Sequence, residues 1–570
     1  MTRAALPPEP SPTRSLVRKR VFVEGAVQGV GFRPFVHRNA CALGLTGWVM
    51  NTPQGVVLEA EGPPERVQAL LRRLESDAPP NATITSVRAE TAPLQRSEGF
   101  VVRPSTLEGA STAQILPDLA ACEDCLNELF DPGDRRFRYP FINCTQCGPR
   151  FSIMTGMPYD RARTSMRRFT MCAACQAEYD DPTDRRFHAE PNACPTCGPQ
   201  LRLLDPDGVC LAATDEALAG AAKAIGSGSI VAVKGIGGFH LMVDASDSDA
   251  VLRLRARKRR SAKPFALMFP HIAALRKATR MDGKEQALLT GPERPIVLLR
   301  RKGVDFAEAI GPANPWIGAI LPYTPLHHLL MRALDRPIVA TSANLTDEPI
   351  VIDTDEALER LNGIADMVLR HDRPHVSPVE DSVLRGVCGR ALALRSARGP
   401  APATRGPAGA KPGILGVGGH LKTTIAQSSE GSVILWPHIG DLNSVQSRAA
   451  HERAVQDMRA LTGASHASIA RDLHPDYASS QAADNVPSPK VAVQHHVAHI
   501  AACLADNGMT PPALGVAWDG AGFGPDGTIW GGEFLALEAD RWRRVATLRP
   551  FRLPGGEVAM REPRRAGLGL

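Results

Sequence analysis

Eight of the chain's twelve cysteines fall in four C-x2-C pairs, and their spacing is its most specific chemical signal. Cys122-x2-Cys125-x18-Cys144-x2-Cys147 is followed after 24 residues by Cys172-x2-Cys175-x18-Cys194-x2-Cys197. Each C-x2-C turn presents two thiolates to one ion, and two turns complete a tetrahedral site with no open position. Two structural zinc ions are therefore expected. The flanking sequence repeats with a period of 50, since DPGDRRFRYPFINCTQCGP from Asp131 is echoed by DPTDRRFHAEPNACPTCGP from Asp181. In both copies arginines (Arg135, Arg136, Arg138, Arg185, Arg186) stand beside Asp131, Asp134, Asp181 and Asp184, which predicts local ion pairs. Cys41, Cys210, Cys388 and Cys503 stand alone.

Three other clusters point to anion or metal chemistry. Val21 to Glu24 has strand character and runs into Gly25-Ala-Val-Gln28-Gly29-Val30-Gly31-Phe32-Arg33, after which Pro34 to Leu43 has helical spacing. Glycines let successive N–H groups converge on an anion, a helix start adds its positive end, and Arg33 offers a two-pronged donor. Further along, Lys234-Gly-Ile-Gly-Gly238-Phe-His240 follows a strand, Lys258-Arg-Arg260-Ser-Ala-Lys263-Pro264 precedes another, and Thr341-Ser342-Ala-Asn344 closes a third. Clustered Lys and Arg offset triphosphate charge, while Ser342 and Asn344 can hydrogen-bond phosphate and carbonyl oxygens, a chemistry consistent with binding ATP with its magnesium. Near the carboxy-terminal end, His495 and His499 lie at i, i+4 on one helical face and can grip a further divalent metal, with Asp519 as an oxygen ligand. Gly416-Val-Gly-Gly419 and Lys422-Thr-Thr424 after an apolar strand form a weaker phosphate-contact pattern.

These groups must be positioned by several domains, because 570 residues can bury three or four cores. The net charge of +6 is too mild to demand a nucleic-acid partner. No apolar run reaches the length of about 18 residues that a membrane helix needs, so no membrane is expected. Paired C-x2-C cysteines without a leader-like start predict a reducing, cytoplasmic setting. Texture divides the chain into a tail at 1–17, a compact region at 18–105, a Cys-rich region at 106–204, α/β stretches at 205–398, a Pro/Gly/Ala linker at 399–413 and further α/β at 414–570. Strands are expected over Ser229 to Val233, Phe265 to Phe269 and Pro337 to Ala340.

The string Val23 to Arg33 resembles the acylphosphatase signature, and Gly47-Trp-Val-Met-Asn51 resembles that family's second motif. The resemblance implies a ferredoxin-like βαββαβ fold in which Arg33 holds phosphoryl oxygens and Asn51 orients the attacking water. Residues 210 to 398 resemble YrdC-like adenylate-forming domains, and Leu321-Pro-Tyr-Thr-Pro-Leu-His327-His328 and Glu380-Asp381-Ser382-Val383 look like HypF sequences, placing Asp381 or Ser382 at the nucleotide cavity. Asp472-Leu-His474-Pro-Asp476-Tyr477, the His motif and Trp518-Asp519-Gly520 follow the order of a threonylcarbamoyl-transferase-like, actin-like domain. The whole arrangement resembles the HypF family of hydrogenase maturation carbamoyltransferases. It implies a multidomain α+β and α/β chain that hydrolyses carbamoyl phosphate, makes a carbamoyl adenylate with ATP and transfers the carbamoyl group to the carboxy-terminal cysteine of HypE.

Two departures from the family pattern, Glu380 in place of a second Asp and Arg395-Ser-Ala-Arg-Gly-Pro400 in place of an ending in Tyr, affect fine placement around that cavity. Because an actin-like fold needs two lobes and 414–570 has length for one, a truncated terminal domain and an impaired last step are also expected. A zinc-containing protein with weak RNA binding, resting on the ribbons and the basic run Arg253 to Lys263, is the rival reading. A scaffold with decayed catalytic lobes is a third.

Overall fold

The computed structural model describes residues 15–108, 114–303, 306–345, 348–405, 410–429, 432–463, 466–556, 558–559 and 562–570. The expected tail lies outside the described residues up to 14, as do 406–409 of the expected linker and Met560 and Arg561 of a Met-Arg-Glu-Pro motif. Two compact units emerge, the first spanning 1–403 with 436–438 and 453–464, and the second built from 404–435, 439–452 and 465–570. Among the described residues no helix is long and apolar enough to cross a membrane.

The first unit opens with β1 (Val17–Ala26), α1 (Phe32–Ala42), β2 (Thr46–Thr52), β3 (Gly55–Gly62), α2 (Pro64–Ser76), β4 (Thr83–Ala92) and β5 (Phe100–Val102). The sheet order β4-β1-β3-β2-β5 is the expected βαββαβ sandwich with one added parallel edge strand. Period-two burial of Val21 and Val23 on β1, and of Val67, Leu70 and Leu74 at helical spacing on α2, makes one shared core. Truncating Leu70 or Leu74 to Ala there would cost about 2–5 kcal/mol. The register that sets Asn51 opposite Val56 and Val23 opposite Val56 brings the end of β2 beside the β1–α1 loop.

The two cysteine repeats fold alike. Each has a short helix begun by its first cysteine, α3 (Glu123–Phe130) and α4 (Ala173–Asp180), then a turn in which Asp134 or Asp184 accepts the N–H of Arg136 or Arg186 at 2.7 Å. The remainder of the first unit is a twelve-stranded mixed sheet. Its centre contains Ala266–Met268, Ile338–Ser342, Phe239–Asp244 and Val231–Lys234, which answer the three expected strands to within two residues. Helices Thr214–Gly226 and Pro325–Leu334 cover one face, where Cys125, Leu129 and Phe141 of the first repeat join the core, and Ser248–Arg257 covers the other. The sequence reading of 399–413 as a plain linker needs correction for its first part. Ala401 is only 1% exposed and its N–H bonds the carbonyl of Ala397, so low side-chain bulk here serves close packing.

In the second unit, strands 432–435, 426–429, 414–416, 468–472 and 490–493 lie side by side in that order. The first three are antiparallel and the last three parallel, the half-barrel pattern of an actin-like lobe. A separate three-stranded sheet (513–517, 533–537, 542–547) packs its Leu535 and Leu537 against Ile500 of the helix His495–Asp506.

Candidate active and metal sites

Gly29 and Gly31 adopt φ of 71° and 75°, a left-handed bend that side-chain-bearing residues resist. Gly31 is the N-cap of α1 and supplies no side chain to the free N–H groups of the first turn, which are left to face an anion. The neighbouring side chains build the loop rather than line it. Val30 and Phe32 are core residues, and Gln28 donates to the carbonyls of Thr52 and Gly55 at 2.7 and 2.9 Å, stapling the loop to the β2–β3 turn. Gly25 presses against the backbone of Thr83.

Arg33 and Asn51 meet at a small cavity lined by this loop and by Thr145, Arg150, Tyr159, His188 and Glu190 of the cysteine region. Asn51 is 1% exposed, and neither its Oδ1 nor its Nδ2 has a hydrogen-bond partner. Leaving two buried polar atoms unpaired costs about 1–3 kcal/mol each, and a ligand in this cavity would supply the missing partners. Arg33 is also buried, and its Nη2 donates to Glu190 Oε1 at 2.7 Å and lies 3.4 Å from Asp160 Oδ1. Arg150 bonds the carbonyl of Gly29 at 2.6 Å and spends its other donors on the carbonyls of Cys147, Pro149 and Thr145. Burial pulls His188 down to about 4, so it is neutral here, and burial raises the Glu190 carboxyl above its ordinary value. Arg33 and Asn51, named from the sequence, line one cavity here, together with Glu190, Arg150 and Tyr159 and with Asp160 beside Arg33, none of which the sequence pointed to.

Each set of four cysteine sulfurs is closed to within 4.8 Å. Neighbouring Sγ atoms lie 3.6 to 3.9 Å apart in both sets. A tetrahedron with Zn–S of about 2.3 Å has edges of about 3.8 Å, so both sets fit zinc. The expected local Arg–Asp pairs are not what forms. Asp131, Asp134, Asp181 and Asp184 spend their carboxylates on backbone N–H groups two residues ahead, and the arginines reach across. Arg135 and Arg136 pair with Glu178 and touch Cys175 of the second repeat, while Arg185 and Arg186 pair with Glu128 and Arg185 touches Cys125 of the first. Arg138 pairs with Asp215. This reciprocal exchange locks the repeats together and places cations over the sulfurs.

In the α/β region, Lys258 is 1% exposed and its Nζ donates to Ser342 O at 2.7 Å, to Asn344 Oδ1 at 2.6 Å and to Asn344 O. Desolvation pulls its ammonium down to about 7. Ser342 Oγ and the Asn344 side-chain amide complete the strut. Arg260 folds back on Lys263 O and Thr341, and the Lys263 side chain is exposed. Lys234, pulled by burial down to about 8, lines a second small cavity with His371, Arg373 and, from the first cysteine repeat, Pro140, Phe141 and Ile142. Asp381 accepts from His240 and from Arg398 at 2.9 Å each, and although burial opposes its charge, Arg398 holds it far below the usual carboxylate range. Ser382 is fully buried and its hydroxyl is consumed by Arg398 O and Ala397 N. His327, which belongs to the Leu321–His328 motif but had no role assigned from sequence, is buried, and among the described residues neither ring nitrogen has a hydrogen-bond partner.

In the second unit His495 and His499 begin the helix as expected, their Nε2 atoms 3.2 Å apart, with Asp519 Oδ2 at 3.0 Å from His495 and 3.7 Å from His499. Asp472 Oδ2 holds His495 Nδ1 at 2.7 Å, the carboxylate–histidine pairing that orients a metal ligand. The donor set of two imidazoles and a carboxylate fits a divalent ion such as zinc or iron.

Fold and site together define a multidomain enzyme in which an acylphosphatase sandwich, two zinc ribbons, a nucleotide-type α/β domain and an actin-like lobe share one chain. Family models match in the same order: acylphosphatase over 19–102, the HypF finger over 121–154 and 171–204, and the Sua5/YciO/YrdC family described as telomere recombination over 223–397. The HypF Kae1-like domain follows over 409–506 and the carbamoyltransferase Kae1-like second subdomain over 515–570. The chain is 49% identical to carbamoyltransferase HypF of Synechocystis sp. across 96% of its own length and 72% of that protein. It is 46% identical to carbamoyltransferase HypF2 of Cupriavidus necator, over 96% of this chain and 71% of that one. A crystal structure of full-length HypF in a phosphate- and nucleotide-bound form superposes with a TM-score of 0.94 at 41% identity, over 97% of this chain and 73% of the other. The chain belongs to the carbamoyltransferase HypF family.

Proposed function

We propose that this carbamoyltransferase acts in hydrogenase maturation and begins its work by hydrolysing carbamoyl phosphate at Arg33 and Asn51. The observation that carries this is Asn51, whose amide is buried with both polar atoms unspent at the mouth of a glycine loop and beside an anchored arginine. In this reading the loop N–H groups and Arg33 hold the phosphoryl oxygens, and Asn51 Oδ1 accepts a hydrogen bond from the water that attacks phosphorus and so orients it, the water's proton passing to the departing carbamate. Carbamate leaves as a good leaving group, so positioning and charge stabilisation suffice without a protein nucleophile.

Carbamate then attacks the α-phosphorus of magnesium-bound ATP in the domain containing Lys234, Lys258, Arg260, Lys263, Ser342, Asn344 and Asp381, releasing pyrophosphate and forming carbamoyl adenylate. That a full-length HypF relative was solved in a phosphate- and nucleotide-bound form agrees with a reaction that uses both. The carbamoyl group finally passes to the thiolate of the carboxy-terminal cysteine of HypE, releasing AMP. His495, His499 and Asp519 would hold the divalent ion of the terminal domain, which supplies Lewis-acid charge for nucleotide phosphates. Eight cysteines grouped as zinc ligands and four standing alone, with no disulfide among the described residues, fit a cytoplasmic, reducing location.

The rival RNA-binding reading loses much of its basic run, because Arg255, Lys258 and Arg260 donate to backbone carbonyls and Arg257 pairs with Asp366. The test is to incubate the protein with ATP, carbon-labelled carbamoyl phosphate and HypE, following phosphate, pyrophosphate and label separately. Phosphate and pyrophosphate release are expected, label on HypE would show the full sequence of steps, and Arg33→Ala should abolish use of carbamoyl phosphate. Phosphate release undiminished in Arg33→Ala would refute the assignment.

A further inference from the structure

The second zinc module contributes a residue to the acylphosphatase site that neither the cysteine spacing nor the acylphosphatase motifs contain. Glu190 is 2% exposed, and its two oxygens are fully allotted. Oε1 accepts from Arg33 Nη2 at 2.7 Å, while Oε2 accepts from the Arg161 N–H at 2.9 Å and from the Tyr179 hydroxyl at 2.9 Å. Glu190 thereby tethers the Nη2 corner of Arg33; among the described residues no hydrogen bond is made by its Nη1 or Nε, and that edge stays available for phosphoryl oxygens.

The tether is itself clamped by the zinc fold. Tyr179 lies on α4, which carries Cys175, and Glu190 lies on the segment that leads into Cys194, so closing the four-cysteine site brings donor and acceptor together. Arg161 fixes the same segment by donating to the carbonyls of Glu190 and Asn192. The internal repeat sharpens the point. Counting from Asp131 and Asp181, the zinc-holding and cross-linking positions match, whereas Glu190 corresponds to Pro140 in the first copy. Pro140 and Phe141 line the Lys234 cavity, and His188 to Pro191 line the Arg33 cavity, so equivalent loops of the two modules cap different sites.

From this geometry we infer that Glu190 is the positioning residue of Arg33, presented by the second zinc module to complete the acyl phosphate site. The inference rests on the proposed role of Arg33 in holding the phosphoryl group. Without Glu190 the guanidinium keeps only the longer 3.4 Å approach of Asp160 at that corner and would sample several orientations before meeting substrate, and a misplacement of about 1 Å can cost about 10²-fold.

The test uses the full chain with Arg33→Ala, Glu190→Ala and the near-isosteric Glu190→Gln. Zinc content and melting temperature are measured for each, inorganic phosphate binding by calorimetry, and kcat and KM with carbamoyl phosphate. Glu190→Ala is expected to weaken phosphate binding and lower kcat by about 10-fold or more with zinc retained. Glu190→Gln should fall between it and the parent, and millimolar formate should restore part of the Glu190→Ala loss by refilling the carboxylate position, a recovery that a merely structural defect would not show. Should Arg33→Ala be inactive while both Glu190 variants bind phosphate and turn over as the parent does, the inference fails and the Arg33 reading stands. Should Arg33→Ala remain active, the underlying reading fails first. Tighter phosphate binding in Glu190→Gln would show Glu190 competing with the phosphoryl group for Arg33, which also overturns the proposal; if Glu190→Ala loses zinc, the Gln variant decides.

Discussion

The acyl phosphate cradle and the Lys258 region both concentrate buried polar groups, yet they dispose of them in opposite ways. In the cradle Asn51 has no internal partner and Arg33 is held at one corner only. Around Lys258 every donor is absorbed by Ser342 and Asn344, whose own groups bond one another and Glu348. The first site is left incomplete for a ligand, and the second is complete without one. Motifs that look equally rich in phosphate-binding residues thus differ in what the fold has already spent. A cradle of this kind trades stability for preorganisation, whereas the Lys258 strut must yield bonds, or lend its charge from behind, when a nucleotide enters.

That contrast can be broken or sharpened by substitution. The largest effect is expected at Arg33→Lys, which keeps the charge but loses the planar fork. Carbamoyl phosphate hydrolysis should fall by about 10²-fold, and a loss under threefold in a steady-state phosphate-release assay would mean that charge alone suffices. Next comes Lys258→Met, which fills the same volume and strands the acceptors of Ser342 and Asn344. Stability measured by urea unfolding should drop by about 1–3 kcal/mol. An unchanged unfolding midpoint would show that the strut is not structural.

The smallest effect is in pH. Because desolvation lowers Lys258 to about 7, its ammonium is lost from the empty protein as pH rises through that value, while a bound triphosphate favours the charged form. ATP affinity should therefore decline above pH 7, by at most about tenfold per unit, with a proton taken up on binding. Calorimetry in two buffers of different ionisation enthalpy reads that proton, and its absence at pH 8 would place Lys258 outside the nucleotide's field.

What the sequence disclosed follows the range of each interaction. The zinc ligands and the Gly29–Arg33 loop were legible because their geometry is set within a few residues, and the sandwich that carries the loop was read from the resemblance of Val23 to Arg33 and Gly47 to Asn51 to acylphosphatases. The His495–His499 pair was legible for the same reason, as one helical turn brings the rings together. Glu190 was not, lying 157 residues from Arg33 in a segment whose only signal is a departure from its own repeat. The expected Arg–Asp pairs failed for a local reason, since an Asp two residues before a free N–H bonds it first and leaves the arginine to find another carboxylate. Ser382 stands beside a charged motif but turns inward, because the carbonyl of Arg398 and the N–H of Ala397 claim its hydroxyl.

The central claim, that Asn51 is kept unsatisfied for substrate, is tested most directly by measuring hydrolysis and thermal stability on one preparation of Asn51→Leu. The account predicts carbamoyl phosphate turnover reduced by about 10²-fold or more together with a melting temperature equal to or above that of the parent, since a buried unpaired amide is removed. Turnover retained, or a melting temperature that falls along with it, would contradict the claim.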